Sequence, residues 1–279
     1  MIRKAEISVE FFPPKNEEGA IQILNTAQKI KNLELDFASI TYGAGGSSRE
    51  HTIEYTKKLK DILACKIMPH LTCIGHSKEE IVDILDMYKS MGITKIMALR
   101  GDLPKNVADC KTSHFKYASD LVSFIKTEYP QFKIYAACYP ESHSQAKSLE
   151  EDIANLKTKV DAGVDCLITQ LFFDNAKFYE FVDKCRNVGI DKEFIAGLLP
   201  ALSLKQAENF CNTVQVGLPQ ELHKQLSQAE TAEDARLVGM NWTIKQMENL
   251  IENSFFKTHL YILNRAKSVM GILDRREFL

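Results

Sequence analysis

Short apolar runs alternate along the chain with longer segments in which apolar residues recur every three or four positions. Eight runs are nearly continuous: ISVEFF (7–12), DFASITYG (36–43), KIMPHLTC (66–73), KIMALRGD (95–102), KIYAACYP (133–140), CLITQLFF (166–173), EFIAGLLP (193–200) and HLYILN (259–264). A strand wetted on one face alternates apolar and polar residues. A strand covered on both faces does not, so these runs predict buried parallel strands. The intervening segments read as amphipathic helices. Over 78–92, Ile81, Ile84, Leu85 and Tyr88 fall on one stripe. Ser77 and Glu80 have the spacing of a capping box at its start, and Gly92 suits its exit. Over 147–163, Leu149, Ile153, Leu156 and Val160 repeat the helical spacing, with Gly163 at the end. A further helix is predicted over 231–252, before the eighth strand.

Eight βα units within 279 residues match a (β/α)8 TIM barrel, which needs roughly 250 residues before insertions. A doubly wound open sheet would place a glycine-rich turn after its first strand. Here that strand runs into EFFPPK, which has no glycine. The expectation is a single α/β barrel domain over residues 1–279, with an extra helix before the eighth strand.

Composition narrows the chemistry. Lys plus Arg number 35 against 37 Asp plus Glu, a net charge of -2, which gives no global attraction to nucleic acid or anionic membrane. No apolar run is long enough to span a bilayer. The opening MIRKAEISVEFFPP is interrupted by acidic residues and a proline pair, so it does not read as a signal peptide. Cys65, Cys73, Cys110, Cys138, Cys166, Cys185 and Cys211 are scattered, without a C-x-x-C pair. They read as reduced thiols of a cytoplasmic protein, with no clustered metal site expected.

In a barrel of this kind the chemistry sits at the C-terminal ends of the strands. Glu10 stands there among aromatics and prolines. Desolvation disfavours its charged form, so it could hold a proton and act as a general acid. A buried Glu paired with Arg or Lys is the alternative. Asp102, in RGDLP, reads as a turn residue or as a carboxylate facing a polar heterocycle, with Gly101 allowing close approach. His70, in PHLTC, lacks a second ligand at metal spacing and reads as a core histidine. The glycines of YGAGGSS match no phosphate-loop pattern. Gln170, bordered by aromatics, suits a planar ligand with donors and acceptors. A metal- or Schiff-base-dependent lyase would need a metal cluster or a strand-end lysine, and neither is visible. A non-catalytic ligand-binding barrel would have little use for a desolvated acid at position 10.

Taken in order, SVEFFPPK, ASITYGAGG, PHLTC, ALRGDLP, YASDLV, ACYPESH, KSLEEDIANLKTKVDAG, ITQLFFD, GLLPALSLKQAENF and YILNRA resemble the methylenetetrahydrofolate reductase family, in its short bacterial form, from Ser8 to Ala266. The resemblance implies an FAD-dependent barrel. It would reduce 5,10-methylenetetrahydrofolate to 5-methyltetrahydrofolate with NADH or NADPH by a ping-pong cycle, supplying methyl groups for methionine synthesis. Glu10 matches the acid that helps open the folate ring, and Asp102 matches a carboxylate beside flavin and pterin. The FAD contacts implied are Tyr42, Ala44, His70, Arg100, Gly101, Asp102, Ala118, Tyr139, His143, Ala146, Asp152, Asn155 and Lys159. Thr41, Gln170, Gln206 and Arg265 match contacts to nicotinamide or folate, and Phe210 matches an aromatic that stacks on the substrate. Thr158 stands where some members carry an arginine in the FAD-binding helix. The resemblance further implies a homo-oligomer and no regulatory domain that binds S-adenosylmethionine; no metal is expected, because no clustered ligands are visible.

Overall fold

The computed structural model describes residues 5–42, 48–102 and 114–274. Eight parallel strands close in chain order into one barrel. They are β1 (Glu6–Phe11), β2 (Phe37–Ile40), β3 (Lys66–Thr72), β4 (Lys95–Leu99), β5 (Lys133–Cys138), β6 (Cys166–Thr169), β7 (Glu193–Leu198) and β8 (Lys257–Tyr261). Closure is made by β1 and β8, with Ser8 opposite His259 and Glu10 opposite Tyr261. The helices are α1 (Glu17–Ile30), α2 (Ser48–Ile62), α3 (Lys78–Ser90), α4 (Ala118–Glu128), α5 (Leu149–Asp161), α6 (Asn175–Asn187), α7 (Leu204–Val214), α8 (Gln220–Ser227), α9 (Ala232–Glu252) and α10 (Ala266–Leu273). The expected (β/α)8 barrel is thus the observed fold. No helix among the described residues is long and apolar enough to cross a membrane.

Local chemistry sets the helix ends. Ser77 and Glu80 form the expected reciprocal capping box of α3, and Gly92 beyond it has φ +70°. Ser148 caps α5, and Gly163 follows its end with φ +122°. The predicted helix over 231–252 is α9, which opens with a capping box between Thr231 and Asp234. The eight-residue α8 was not predicted separately. Between β7 and β8 the chain therefore makes three helices, and α9 packs between α6 and α10 in the outer ring. At Gly239 of α9, a Cβ would lie 1.9 Å from the Ala201 carbonyl oxygen. The helix seats there only because the residue has no side chain.

All eight strands end short of the expected C-terminal residue, at 11, 40, 72, 99, 138, 169, 198 and 261, and for the sixth and eighth the cause is local. The sixth stops at Thr169 rather than 173, because Leu171 and Phe173 turn away to join a separate apolar cluster. The eighth covers 257–261 rather than 259–264, because Leu263 and Asn264 adopt φ of +51° and +53°. The Asn264 side chain then accepts from the Phe12 amide at 2.9 Å and donates to the Phe12 carbonyl at 2.8 Å, tying the ends of β1 and β8 together.

Strand alternation sorts the core. Ile7, Val9 and Phe11 point outward into the layer shared with the helices, against residues such as Ile23 and Ile30 of α1. Inside the barrel, Phe37, Met68, Met97, Tyr135, Cys166, Ile168 and Ile195 form an apolar plug. Lys95 closes its N-terminal end, 3.1 Å from Asp36 and 4.5 Å above the Phe37 ring. A further cluster, built by Leu171, Phe173, Leu199, Ala207, Cys211 and Leu222, walls the mouth beside β6 and β7. Its lining makes the α7–α8 segment part of the site's frame.

Candidate active site

Above the apolar plug, the barrel interior turns polar. Ser8 and Glu10 of β1, Ser39 of β2, His70 of β3 and His259 of β8 are all buried. Ser8 Oγ lies 2.7 Å from His259 Nδ1, and Ser39 Oγ lies 3.3 Å from its Nε2. The His259 ring also stacks on Phe37, at 5.5 Å and 20°. The imidazole is thus clamped from below and on both nitrogens. The Glu10 carboxylate, 6% exposed, lies 3.5 Å from His70 Nε2 and 3.8 Å from His259 Nε2. Among the described residues, its ion-pair partners are histidines rather than the Arg or Lys of a simple buried ion pair.

Burial depresses His70 to about 4, with Glu10 opposing and His259 reinforcing the shift. At neutral pH this ring is uncharged. Its Nε2 is buried without a hydrogen-bond partner, since the approach to Glu10 is long. Tyr261, opposite Glu10, donates to the Thr169 carbonyl at 2.6 Å, and burial holds its phenol well above the ordinary range. Gly197 makes room for it, since a Cβ there would lie 2.8 Å from the Tyr261 ring.

A second group lines the β4–β5 side of the mouth. Arg100 donates to the Gln145 side chain at 2.8 Å. The Gln145 amide donates to His143 Nδ1, and the His143 amide donates to Asp152 of α5 at 3.0 Å. Tyr139 packs edge-on against the His143 ring at 4.6 Å. The Ala146 amide closes the turn onto the His143 carbonyl. Burial raises Asp152 and Tyr139 and lowers His143, so all three favour their neutral forms more than in water. Lys159 of α5 sits beneath them. Its ammonium donates to the Ala137 carbonyl at 2.6 Å, and burial lowers its pKa. Gly101 has φ +85°, and a Cβ there would meet Thr72 at 2.9 Å. The chain can pass so close to β3 only as glycine.

The other expected residues scatter around the rim. Tyr42 bonds His76 at 2.9 Å, and Thr41 follows β2. The Gln170 side chain accepts from the Leu171 amide, and that of Gln206 accepts from the Leu202 amide. Phe210 of α7 packs on the cluster beside β6 and β7. Ala118 begins α4. Asp102, Asn155 and Arg265 are exposed, and Thr158 is an exposed residue bonded to its own helix. Ala44 and Cys110 lie outside the described residues. Phe172 and Phe173 are core residues, and Asp174 caps α6. Ser8, Ser39, His76, His259 and Tyr261 were missed. The signal for His259 was its place two residues before Tyr261, on a strand whose partner had to be β1 if the barrel closed.

Among the described residues, no group of three or more His, Cys, Asp or Glu gathers to hold a metal. The six described cysteines are thiols outside any disulfide, and burial lifts those such as Cys73 and Cys211 to about 11, which removes them as nucleophiles near neutral pH.

Comparison with known proteins places this geometry. Residues 2–277 match the family model described as methylenetetrahydrofolate reductase. The 5,10-methylenetetrahydrofolate reductase of Escherichia coli (strain K12) is 39% identical over 267 residues, covering 95% of this chain and 88% of that protein. Methylenetetrahydrofolate reductase (NADH) 1 of Arabidopsis thaliana is 34% identical over 95% of this chain and 47% of that protein. Among solved structures, an uncharacterized protein from Clostridium thermocellum, described as binding two copies of 5-methyl-5,6,7,8-tetrahydrofolic acid, superposes with TM-score 0.68. It is 15% identical and covers 100% of this chain and 97% of that one, a likeness of fold. The match along nearly the whole length, with identity well above what fold alone requires, makes this chain a member of the methylenetetrahydrofolate reductase family.

Proposed function

We propose that this protein reduces 5,10-methylenetetrahydrofolate to 5-methyltetrahydrofolate, using NADH or NADPH and bound FAD in a ping-pong cycle. The observation that carries the reading is a buried carboxyl, Glu10, held between two histidines at the C-terminal end of a barrel of this family. The relatives' names supply the substrate.

The mouth fits a flavin. His70 presents a buried, unpartnered nitrogen there. Arg100, and Lys159 with donors left beyond its one carbonyl bond, offer positive charge to a pyrophosphate. Asp152 and Asn155 offer partners to adenosine hydroxyls, and the close pass of Gly101 by Thr72 leaves backbone free to meet a ring. When bound, the flavin supplies the hydride that it has taken from the nicotinamide. The remaining Tyr42, Ala44, Ala118, Tyr139, His143 and Ala146 complete the proposed FAD contacts.

The chain's own part is proton delivery and orientation. Glu10 gives a proton to the folate nitrogen that leaves the methylene carbon, opening the five-membered ring to an iminium that can accept hydride. His259, clamped by Ser8 and Ser39, keeps the carboxyl in place. Asp102 stabilises the cationic iminium, while Thr41, Gln170, Gln206, Arg265 and Phe210 orient the pterin or the nicotinamide. The enzyme is further proposed to be a cytoplasmic homo-oligomer, with residues 1–279 forming one catalytic barrel that serves methionine synthesis.

Glu10→Gln tests the assignment. Folate reduction should fall by about two to four orders of magnitude, while FAD binding and flavin reduction by NADH persist. Unchanged folate turnover would remove Glu10 from the acid role.

A further inference from the structure

Glu141 lies two residues beyond Tyr139, in the turn that carries the proposed flavin contacts, and reaches across the mouth. Its Oε2 accepts the Gly217 amide at 2.9 Å, a bond between positions 76 apart in sequence. Gly217 sits in the corner between α7 and α8. That corner is sharply defined: α7 ends on Gln215 in the left-handed conformation, and the Val216 amide returns to the Cys211 carbonyl. A Cβ at Gly217 would lie 3.3 Å from Glu141 Oε2, so the carboxylate would have to give way by a few tenths of an ångström. At the other end, the Ser142 amide bonds the Tyr139 carbonyl, Ser142 holds φ +73°, and the His143 amide is fixed by Asp152. The carboxylate therefore joins two rigid corners. One bears Tyr139 and His143, and the other ends the helix that bears Gln206 and Phe210. Glu141 Oε1 is buried without a partner. A half-buried carboxylate kept in that state by the local fold is costly unless its placement serves something.

We infer that Glu141 is a positioning residue that latches the α7–α8 corner to the β5 turn and so holds Phe210 and Gln206 at the distance from the flavin wall that the folate requires. The inference rests on the function proposed above. Because the latch shapes the binding wall and touches no reacting atom, losing it removes binding common to ground and transition states. That signature is a raised KM with little change in kcat.

Glu141→Ala, Glu141→Gln and Gly217→Ala, each as purified holoenzyme, test the latch. E141A should raise the KM for 5,10-methylenetetrahydrofolate about tenfold and leave kcat within about twofold. FAD affinity should be unchanged, and hydrogen exchange should accelerate at the Gly217 amide and along α7. E141Q keeps a carbonyl acceptor and should restore the wild-type KM. G217A should reproduce the KM effect by crowding the acceptor, and it serves if E141A does not fold. Faster exchange at Gly217 with an unchanged KM overturns the latch. So does a parallel loss of kcat, FAD affinity and thermal stability, which marks a general structural role. Unaltered Gly217 exchange in E141A overturns it as well. If wild-type enzyme binds FAD but turns over no folate, the reading of the function fails instead. Exchange along α7 would then still report whether the latch exists.

Discussion

At the scale of single residues, the site is organised by burial more than by charge. Glu10 and His70 lie 3.5 Å apart in a region where neither is readily solvated, so the pair cannot be treated as a surface ion pair. His70 carries a testable consequence. Its ordinary value of 6.5 is lowered to about 4 by burial. The unfolded chain therefore takes up a proton near pH 6.5, while the folded protein resists until about pH 4. Stability from this residue is present above pH 6.5 and is lost as pH falls toward 4, by up to about 3 kcal/mol. Denaturant unfolding at a series of pH values should show that loss, and His70→Leu should flatten it. An identical slope in the variant would show that other groups set the pH dependence. His259 gives a second test. His259→Leu removes the ring packed 3.8 Å from Glu10, and it should slow folate reduction about tenfold, a loss of ~1.4 kcal/mol of transition-state stabilisation, without slowing flavin reduction by NADH. Equal slowing of both half-reactions, followed separately by stopped flow, would deny His259 a folate-specific role. The sequence exposed Glu10 as an acid in an apolar run. It could not expose His259 as a neighbour of Glu10, because the two are 249 positions apart and meet only through strand closure.

At the scale of elements, local rules placed the three helices they bounded, α3, α5 and α9. The α3 capping box, the Thr231 start of α9 and the glycines after α3 and α5 stand as the spacing predicted. What local rules missed were strand ends. Leu171 and Phe173 look like a continued strand, yet they pack beneath α7 and α8. That choice depends on apolar surface supplied by helices some thirty residues or more away. α9 then holds this irregular segment with polar side chains: Trp242 donates to the Phe173 carbonyl at 3.0 Å, and Gln246 donates to the Phe172 carbonyl at 3.2 Å. Gly239→Ala should test how closely α9 must seat. The added methyl meets a backbone carbonyl that has no freedom to yield, so a loss of about 1–3 kcal/mol or more is expected from thermal or denaturant unfolding. Helix propensity alone predicts the opposite sign, a gain of about 1 kcal/mol. A stabilised variant would therefore reject the close contact.

For the whole molecule, the clearest outcome concerns the cofactor. The purified protein should show flavin absorbance that bleaches on anaerobic addition of NADH. Protein stripped of flavin should gain about 2.7 kcal/mol of stability at an FAD concentration one hundred times its Kd, visible as a rise in Tm. A preparation that neither carries nor takes up FAD, and whose Tm ignores it, would overturn the cofactor assignment. The sequence by itself determined the class of fold, because eight continuous apolar runs separated by amphipathic helices bury both strand faces in only a few ways. It determined the family as well, through short strings kept in order along the chain. The tertiary structure decided which polar residues meet. Ring closure brought β8 against β1 and set His259 beneath Glu10. The packing of α7 and α8 over β6 and β7 carried Gly217 to Glu141. Such juxtapositions depend on barrel geometry and on contacts far apart in the chain, which a pattern read residue by residue does not contain.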